Sequence, residues 1–281
     1  NQSIMIKKNK YFKYFVYFSL LIGALFSSLP VIWISLSSLK SNLEIFSYPP
    51  SILPVNTSLE AYLNIFDDED KIRFFINSYI ISIIVTLLTL FIAILSGYSF
   101  SRFNFKLKKL LNLTIISTQT IPPITLLIPY FGIVVFFRIY DTYYALVLTY
   151  LVFTLPYATL MMTSYFNTLP RELDDAVLVD GGTNFYALFK VLIPISLPGI
   201  VATCVYTFLL CWNEFLFALT LTKSTEMRTV PIGIQLLMGQ HAYEWNEMMA
   251  MSVLGTFPIL ILYLFAQKYF LSGLTSGSVK L

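Results

Sequence analysis

Charged residues are scarce in this chain of 281 residues, since aspartate, glutamate, lysine and arginine together make up only 12% of it. Soluble globular domains carry about 25%. Apolar residues reach 57%, and a water-soluble protein of this composition could not cover its surface with polar groups. The net charge of +3 is small and spread along the chain, without the basic patch of nucleic-acid-binding proteins. The composition therefore predicts a protein surrounded by lipid and argues against nucleic acid as a partner.

Histidine and cysteine are almost absent, with one and two residues. His241 alone cannot build the His-Glu-x-x-His zinc helix of an intramembrane protease, and we expect it in a loop outside the bilayer. Cys204 and Cys211 are about 10 Å apart along a helix, too far for a disulfide. No Gly-x-x-x-x-Gly-Lys-Ser/Thr phosphate loop occurs. We therefore expect no enzyme, no catalytic residue, no metal site and no cofactor bound by this chain.

Long apolar runs are abundant instead. A membrane-spanning helix needs about 20 mainly apolar residues, and six stretches qualify, at about residues 11–36, 74–100, 110–136, 143–166, 199–221 and 248–270. Lipid requires that backbone polar groups bond within their own segment. The sequence thus predicts an all-α fold, a polytopic bundle of six transmembrane helices that forms a single domain over residues 1–281. The first run is too long for a signal peptide and lacks a small-residue cleavage site after it, so we expect an uncleaved first span.

Basic residues in the loops predict the orientation of these spans. The connection after the first run is acidic from Asp67 to Asp70, which indicates an external loop. Basic residues instead stand before and at the start of the first run and after the second: Lys7, Lys8, Lys10, Lys13, Arg102, Lys106, Lys108 and Lys109. An even number of spans then places both termini in the cytoplasm and makes residues 167–198 a long cytoplasmic loop.

This cytoplasmic loop is predicted to contain two short helices joined by a glycine turn. Asn167 or Thr168 can cap the first helix, and Gly181 and Gly182 can end it. A second helix of about residues 184–192 follows, and the prolines after it end it before the fifth span.

The first helix of the loop combines acidic residues with one apolar face. Leu169, Leu173, Ala176 and Val177 share that face at helical spacing. The acids Glu172, Asp174 and Asp175 lie near its positive N-terminal end. Helices that lie on the anionic inner leaflet are usually basic. The charge therefore favours a groove on a partner protein over the membrane surface, which stays open as the alternative.

The same loop resembles the signature of ABC importer permeases, which is Glu-Ala-Ala, three residues, Gly, nine residues and Ile-x-Leu-Pro. The counterparts here keep this spacing with conservative departures: Asp175-Ala176-Val177, Gly181, Val191, Ile193 and Pro194. In that family the segment is the coupling helix, which sits in a cleft of a cytosolic ATPase. The resemblance implies that Glu172, Asp174, Asp175, Ala176, Val177, Gly181, Gly182 and Pro194 couple the spans to such an ATPase.

Other segments resemble the maltose-type carbohydrate branch of these permeases: Pro170-Arg171-Glu172-Leu173, Asp180-Gly181-Gly182, Ile121-Pro122-Pro123, Leu127-Ile128-Pro129 and Trp212-Asn213-Glu214-Phe215. The resemblance implies one half of a sugar pathway in a bacterial inner membrane. It also implies a second permease subunit in a heterodimer, two ATPase subunits that use ATP and magnesium, and an extracytoplasmic solute-binding protein. A permease for another small solute, such as an amino acid, a polyamine or glycerol phosphate, is the alternative.

Four side chains within the predicted spans are candidates for a solute path, because polar groups inside a membrane are costly and often functional. Gln119 lies beside the prolines of the third span, and Trp212, Asn213 and Glu214 lie in the fifth. Sugar hydroxyls pair with amides and carboxylates, and an indole offers a flat face for stacking. For Gln119, Asn213 and Glu214 the alternative is a hydrogen bond to a neighbouring helix, and for Asn213 and Glu214 also a position at the outer end of the span that reaches water. For an aromatic residue such as Trp212 the alternative is packing.

Overall fold

Helices make up the regular structure in residues 10–239 and 244–276, the part of the chain that the computed structural model describes. The predicted all-α class is confirmed. Lys7, Lys8 and His241 lie outside the described residues. The α-helices in the described part are α1 (Lys10–Ser37), α2 (Asn42–Ile45), α3 (Glu60–Asp67), α4 (Glu69–Arg102), α5 (Lys108–Thr118), α6 (Leu127–Phe136), α7 (Tyr143–Thr168), α8 (Glu172–Val179), α9 (Asn184–Tyr186), α10 (Ile193–Ile195), α11 (Leu197–Trp212), α12 (Leu216–Leu221), α13 (Val230–Leu236) and α14 (Trp245–Ser276). A π-helical segment, Ala187–Leu192, joins α9 to α10, and Pro123–Leu126 and Thr225–Met227 form 3₁₀ turns.

Four helices in the described residues are long and apolar enough to cross a membrane, at Phe12–Ser37, Glu69–Arg102, Tyr143–Thr168 and Trp245–Tyr269. Two bent pairs reach the same standard only when each pair is taken together. Lys108–Thr118 and Pro123–Phe136 meet at 98°, and Asn184–Ile195 and Leu197–Trp212 meet at 78°. The structure therefore contains a multi-pass helical bundle with four to six spans, and the count of six requires each bent pair to be one span.

The predicted third span is broken at its prolines. α5 ends at Thr118, and the chain turns before the 3₁₀ turn that begins at Pro123. Pro122 is extended, with ψ of 128°, because the residue before a proline is excluded from the helical region. The predicted third span, at about residues 110–136, therefore consists of two helical parts that meet at a sharp bend. Consecutive prolines removed the amides and the backbone freedom that a straight helix needs.

The described chain divides into two compact units. One comprises the described residues up to Asp67 and those within Leu237–Leu254, and the other comprises Asp68–Leu236 and the described residues from Gly255 onward. Within the first unit, the apolar residues of α1 from Phe12 to Trp33 are exposed. The segment after α1 is tied to the start of α14, since Asn42 Nδ2 donates to Glu244 Oε2 at 2.7 Å and Asn64 Nδ2 to Glu247 Oε1 at 2.9 Å. The connection between the first two predicted spans is thus held to the start of α14 by side-chain hydrogen bonds.

The second unit has two apolar clusters, both built on the packing of α4 against α7. One contains Ile81, Val85, Val134, Leu146, Tyr150, Phe217 and Leu221. The other, here called the loop-end cluster, contains Ala93, Tyr98, Ala158, Met162, Phe166, Leu188 and Leu192. A buried hydrogen bond of 2.8 Å between the hydroxyls of Thr89 and Thr154 joins the two helices. The 167–198 segment rests on the loop-end cluster, because Leu188 and Leu192 belong to it and Leu169 and Leu173 pack against it.

Gly97 allows α4 and α7 to touch backbone to backbone. A Cβ added there would lie 2.7 Å from Met162 Cβ and 3.0 Å from the backbone nitrogen of Thr163. Backbone atoms cannot rotate away, and overpacking of a filled core costs about 1–3 kcal/mol. We expect Gly97→Ala to lower the free energy of unfolding by about 2 kcal/mol, measured by unfolding of the purified protein in detergent.

The matched control is Gly132→Ala in the interior of α6, where an added Cβ meets nothing within 4 Å. Alanine is the better helix former by about 0.8–1 kcal/mol, so this variant is expected to be neutral or more stable. Equal losses of stability for Gly97→Ala and Gly132→Ala would contradict the close contact between α4 and α7.

Candidate functional site

The first helix of the loop starts later than predicted. α7 continues to Thr168, so Asn167 and Thr168 belong to its last turn, and α8 begins only at Glu172. The predicted cap at these two residues is wrong, because Arg171 stands at the cap position of α8 and makes no side-chain cap bond. Leu169 is extended, with ψ of 136°, as expected for a residue that precedes a proline.

The end of α8 is a glycine turn of the Schellman type. The amide of Gly182 donates to the carbonyl of Val177 at 2.8 Å, and the amide of Gly181 donates to that of Leu178 at 3.1 Å. Gly181 has a φ of 81°, which side-chain-bearing residues rarely adopt. A Cβ on Gly182 would lie 2.6 Å from Val177 Cγ1. The turn therefore needs glycine at both positions, for conformational freedom at the first and for space at the second.

The exposed face of α8 differs from the predicted one. Leu169 and Leu173 pack against the loop-end cluster of the same chain, and Val177 is half-buried. The exposed side chains at helical spacing are Glu172, Asp175, Ala176 and Val179, here called the docking face. Val179 is 87% exposed. The sequence found an apolar stripe but could not tell that most of it covers the protein's own core.

Asp174 points inward, unlike the acids on either side of it. It is 7% exposed, and its carboxylate accepts from Tyr98 Oη at 3.0 Å and from Arg102 Nε at 2.8 Å. The sequence reasoning missed Tyr98 altogether and used Arg102 only as a positive charge next to the membrane. A basic residue that ends a span and an acid in a later loop are the only sequence signals of this pair, and many unpaired residues share them.

The second helix of the loop is longer than predicted. Thr183 caps it, with its Oγ1 accepting from the amide of Tyr186 at 3.2 Å. The helical path then continues through the π-helical segment and past Pro194 to Ile195. Pro194 is tolerated because it lies in the first turn of α10, where a helix does not require the missing amide. The helix thus ends at Ile195 and not at about residue 192, and the predicted break before the fifth span lies at Ser196, where the two helical segments meet at 78°.

Glu214 lies at the break between α11 and α12 and is fully engaged. Its carboxylate accepts from the amides of Phe217 and Ala218, at 2.8 and 3.0 Å, and from Tyr150 Oη at 2.7 Å. It therefore caps the first turn of α12 and fixes the break in the predicted fifth span. This geometry favours the alternative of bonding within the bundle over contact with a solute.

The other three candidates for a solute path are placed differently. Trp212 is 3% exposed, and its Nε1 donates to the carbonyl of Gly255 at 3.1 Å, so it belongs to the core. Asn213 is exposed and lines a cavity of about 610 Å³ together with Glu214 and Tyr206. Gln119 is exposed at the break after α5 and does not line this cavity. The structure thus brings Asn213 and Glu214 together and leaves Gln119 and Trp212 apart from them.

Comparison with known proteins places this arrangement among transport proteins. Residues 89–275 match the family described as binding-protein-dependent transport system inner membrane component. The sulfoquinovosyl glycerol transport system permease protein SmoH of Agrobacterium fabrum is 38% identical, over 93% of this chain and 90% of its own length. The trehalose/maltose transport system permease protein MalG of Thermococcus litoralis is 34% identical, over 93% and 96%. The arabinooligosaccharides transport system permease protein AraQ of Bacillus subtilis is 31% identical, over 89% and 90%.

A solved structure shares the fold. A chain of a bacterial ABC transporter involved in the import of the acidic polysaccharide alginate superimposes with a TM-score of 0.78 at 19% identity, over 96% of this chain and 100% of that chain. At this identity the likeness concerns the fold alone. A second structure, of the alginate transporter in complex with an alginate-bound periplasmic protein, has a TM-score of 0.67 at 14% identity.

Proposed function

We infer, from the premise that this chain belongs to the family of binding-protein-dependent transport system inner membrane components, that it is the permease subunit of an ABC importer for a carbohydrate. The relatives that support this inference are permeases named for sugars, and this chain matches most of the length of each. The chain is a multi-pass membrane protein and not an enzyme. The ATP that drives transport is hydrolysed by a separate subunit.

We propose that the docking face is the site at which that ATPase subunit binds. Its acids, Glu172 and Asp175, lie at the N-terminal end of α8, while Val179 at the other end exposes an apolar side chain to solvent. Leu178 beside it is 44% exposed, and a helix that presents neighbouring apolar and charged side chains to solvent can lie in a groove of a partner protein. The complete transporter contains two ATPase subunits, each using ATP and magnesium. When these two subunits close on each other, the one bound to this chain moves α8. No cofactor is proposed for this chain itself.

The orientation in the bacterial inner membrane follows from the same assignment. A docking face for a cytosolic ATPase places the 167–198 segment, and with it the basic end of α4, in the cytoplasm. Arg102, Lys106, Lys108 and Lys109 lie at that end, in agreement with the excess of basic residues on cytoplasmic loops. Both termini are then cytoplasmic if each bent helix pair is one span.

The remaining partners are proposed from the family and from the exposed surface. A second permease subunit completes the pathway as a heterodimer, and an extracytoplasmic binding protein delivers the sugar. The exposed apolar surface of α1 requires cover from lipid or from a neighbouring subunit. Within this chain, Asn213 is the candidate for direct sugar contact, because its side chain is exposed in the cavity beside α12. An importer for another small solute is the second candidate. The solute that stimulates ATP hydrolysis in the complete transporter separates the two.

The test uses the complete transporter, with this chain, its partner permease, the ATPase and the binding protein in lipid vesicles. We expect one sugar-loaded binding protein to stimulate ATP hydrolysis. Gly181→Val should abolish at least about 90% of that stimulation, because a β-branched residue does not fit a φ of 81°. Gly181→Asn is the matched control, since asparagine tolerates this backbone conformation and should keep most of the stimulation.

Two outcomes contradict the proposal at different levels. If well-folded chain copurifies with no ATPase, the docking role of α8 is wrong. If the ATPase binds but only an amino acid, a polyamine or glycerol phosphate stimulates hydrolysis, the importer assignment stands and the carbohydrate assignment is wrong.

A further inference from the structure

One arginine side chain joins three elements where the 167–198 segment meets the bundle. Arg102, the last residue of α4, donates from Nε to Asp174 Oδ2 of α8 at 2.8 Å. Its Nη1 donates to the carbonyl of Phe166 at 3.0 Å and its Nη2 to that of Leu169 at 3.3 Å. These carbonyls stand at the C-terminal end of α7, where a helix leaves its acceptors without partners. Arg102 therefore binds the end of α7 and the start of α8 at once.

Tyr98 holds the other oxygen of the same carboxylate. It lies one turn before Arg102 on α4, and its hydroxyl donates to Asp174 Oδ1 at 3.0 Å. The ring is fixed by edge-on contacts with Phe103 and Phe166, at centroid distances of 5.6 and 6.1 Å. Both carboxylate oxygens of Asp174 thus accept hydrogen bonds from side chains of α4. The fixed positions of the Tyr98 ring and the Arg102 guanidinium set the orientation of the carboxylate.

A second, smaller connection supports the first. Arg171 Nη2 donates to the carbonyl of Ser101 at 3.1 Å, and Ser101 Oγ donates to Asn167 Oδ1 at 2.8 Å. Both bonds also run between the end of α4 and the chain around Pro170. The polar contacts at this corner therefore all serve to hold α8 and the end of α7 onto α4.

Apolar packing alone would not fix the orientation of α8 on α4 and α7. α8 is attached to the chain by Pro170 on one side and by Gly181 and Gly182 on the other, and its apolar contacts come from half-buried residues such as Leu173. A buried ion pair is often no more stable than apolar residues of the same volume. It differs from them by its directional bonds, which fix one orientation. The Arg102 and Asp174 side chains are 7% and 9% exposed, so water does not loosen this pair.

We propose that Tyr98, Arg102 and Asp174, here called the clamp, are positioning residues of the coupling step. The clamp holds α8 on the ends of α4 and α7, so that a displacement of the docking face moves these two spans and is not absorbed by pivoting of α8. Asp174 then contacts no ATPase, although it stands next to Asp175, which does. The inference rests on the proposed function and assigns roles to two residues outside the loop.

The test is the amount of ATP hydrolysed for each sugar transported by the complete transporter in vesicles. Asp174→Asn removes the charge that holds Arg102. We expect the ATPase to copurify and basal hydrolysis to stay within about twofold, while the ATP used per sugar rises at least about tenfold. Asp174→Glu keeps the charge and should restore part of the coupling. Asp68→Asn is the control, since it removes a carboxylate 3.3 Å from Lys71 at the opposite end of α4 and should leave the ratio unchanged.

Tyr98→Phe decides the matter if the Asp174→Asn complex does not assemble. It removes one hydroxyl and leaves the ion pair in place, and we expect the ATP used per sugar to rise about fivefold. A ratio equal to that of the parent protein in Tyr98→Phe, or a proportional fall of hydrolysis and transport in Asp174→Asn, would overturn the clamp. If the parent transporter couples normally and the variants use the same amount of ATP per sugar, the clamp is refuted and the proposed function stands. A parent transporter that binds no ATPase refutes the proposed function and the clamp with it.

Discussion

Replacing Glu214 with alanine is expected to lower the free energy of unfolding by about 3–5 kcal/mol. The carboxylate accepts three hydrogen bonds, from the buried Tyr150 hydroxyl and from the amides of Phe217 and Ala218. Alanine would leave all three donors without a partner, and each unsatisfied buried group costs about 1–3 kcal/mol.

Unfolding of the purified protein in detergent, followed by circular dichroism, measures this loss. Glu214→Gln keeps one acceptor oxygen and should cost less, about 1–2 kcal/mol. Asn213→Ala changes the neighbouring exposed side chain and is the control for stability. A Glu214→Ala protein that is as stable as its parent but transports no sugar would show that Glu214 serves as a solute ligand and that its cap is dispensable.

Val179→Lys is expected to abolish ATPase binding without harm to the fold. Val179 is 87% exposed, and surface substitutions usually change stability by less than about 0.5 kcal/mol. A lysine in the last turn of α8 also interacts favourably with the helix dipole. The same lysine would bring an unpaired charge into the interface, beside a partner surface that must be complementary to Glu172 and Asp175. Loss of a central interface contact costs about 2–4 kcal/mol, or about 30-fold and more in affinity.

Copurification of the ATPase and titration of isolated ATPase onto the permease pair in nanodiscs measure this effect. Val179→Ile keeps an apolar side chain of similar shape at the same site and should bind as the parent does. Normal ATPase binding by Val179→Lys would show that the ATPase does not contact the docking face. The coupling contact would then lie elsewhere in the 167–198 segment.

Asp174 and Asp175 show which features of a side chain follow from the local sequence and which depend on the tertiary structure. Both lie in the first turns of α8. Helix periodicity sets them about 100° apart around the axis but does not tell which of them faces the protein's own core. The structure turns Asp174 toward Tyr98 and Arg102, while Asp175 stays exposed. In the proposed mechanism the inner carboxylate of this adjacent pair positions α8 and the outer one binds the ATPase.

The sequence by itself determined the features that depend on composition and on near neighbours along the chain. The scarcity of charge and the long apolar runs predicted a helical membrane protein, because lipid leaves the backbone few ways to satisfy its polar groups. The glycine turn after α8 followed from Gly181 and Gly182, because few residues adopt a positive φ. The predicted coupling segment and the carbohydrate branch both rest on motifs whose spacing is local.

Only the tertiary structure decided which way each side chain points and which distant residue it meets. The partner of Asp174 lies 72 positions away at Arg102, and Glu214 meets Tyr150 across 64 positions. Spacing along one helix carries no record of such contacts. The same holds for Trp212, which the sequence offered as a sugar platform and the structure buries in the core. Burial and long-range hydrogen bonding depend on how helices pack against one another, and that is settled only when the whole bundle has formed.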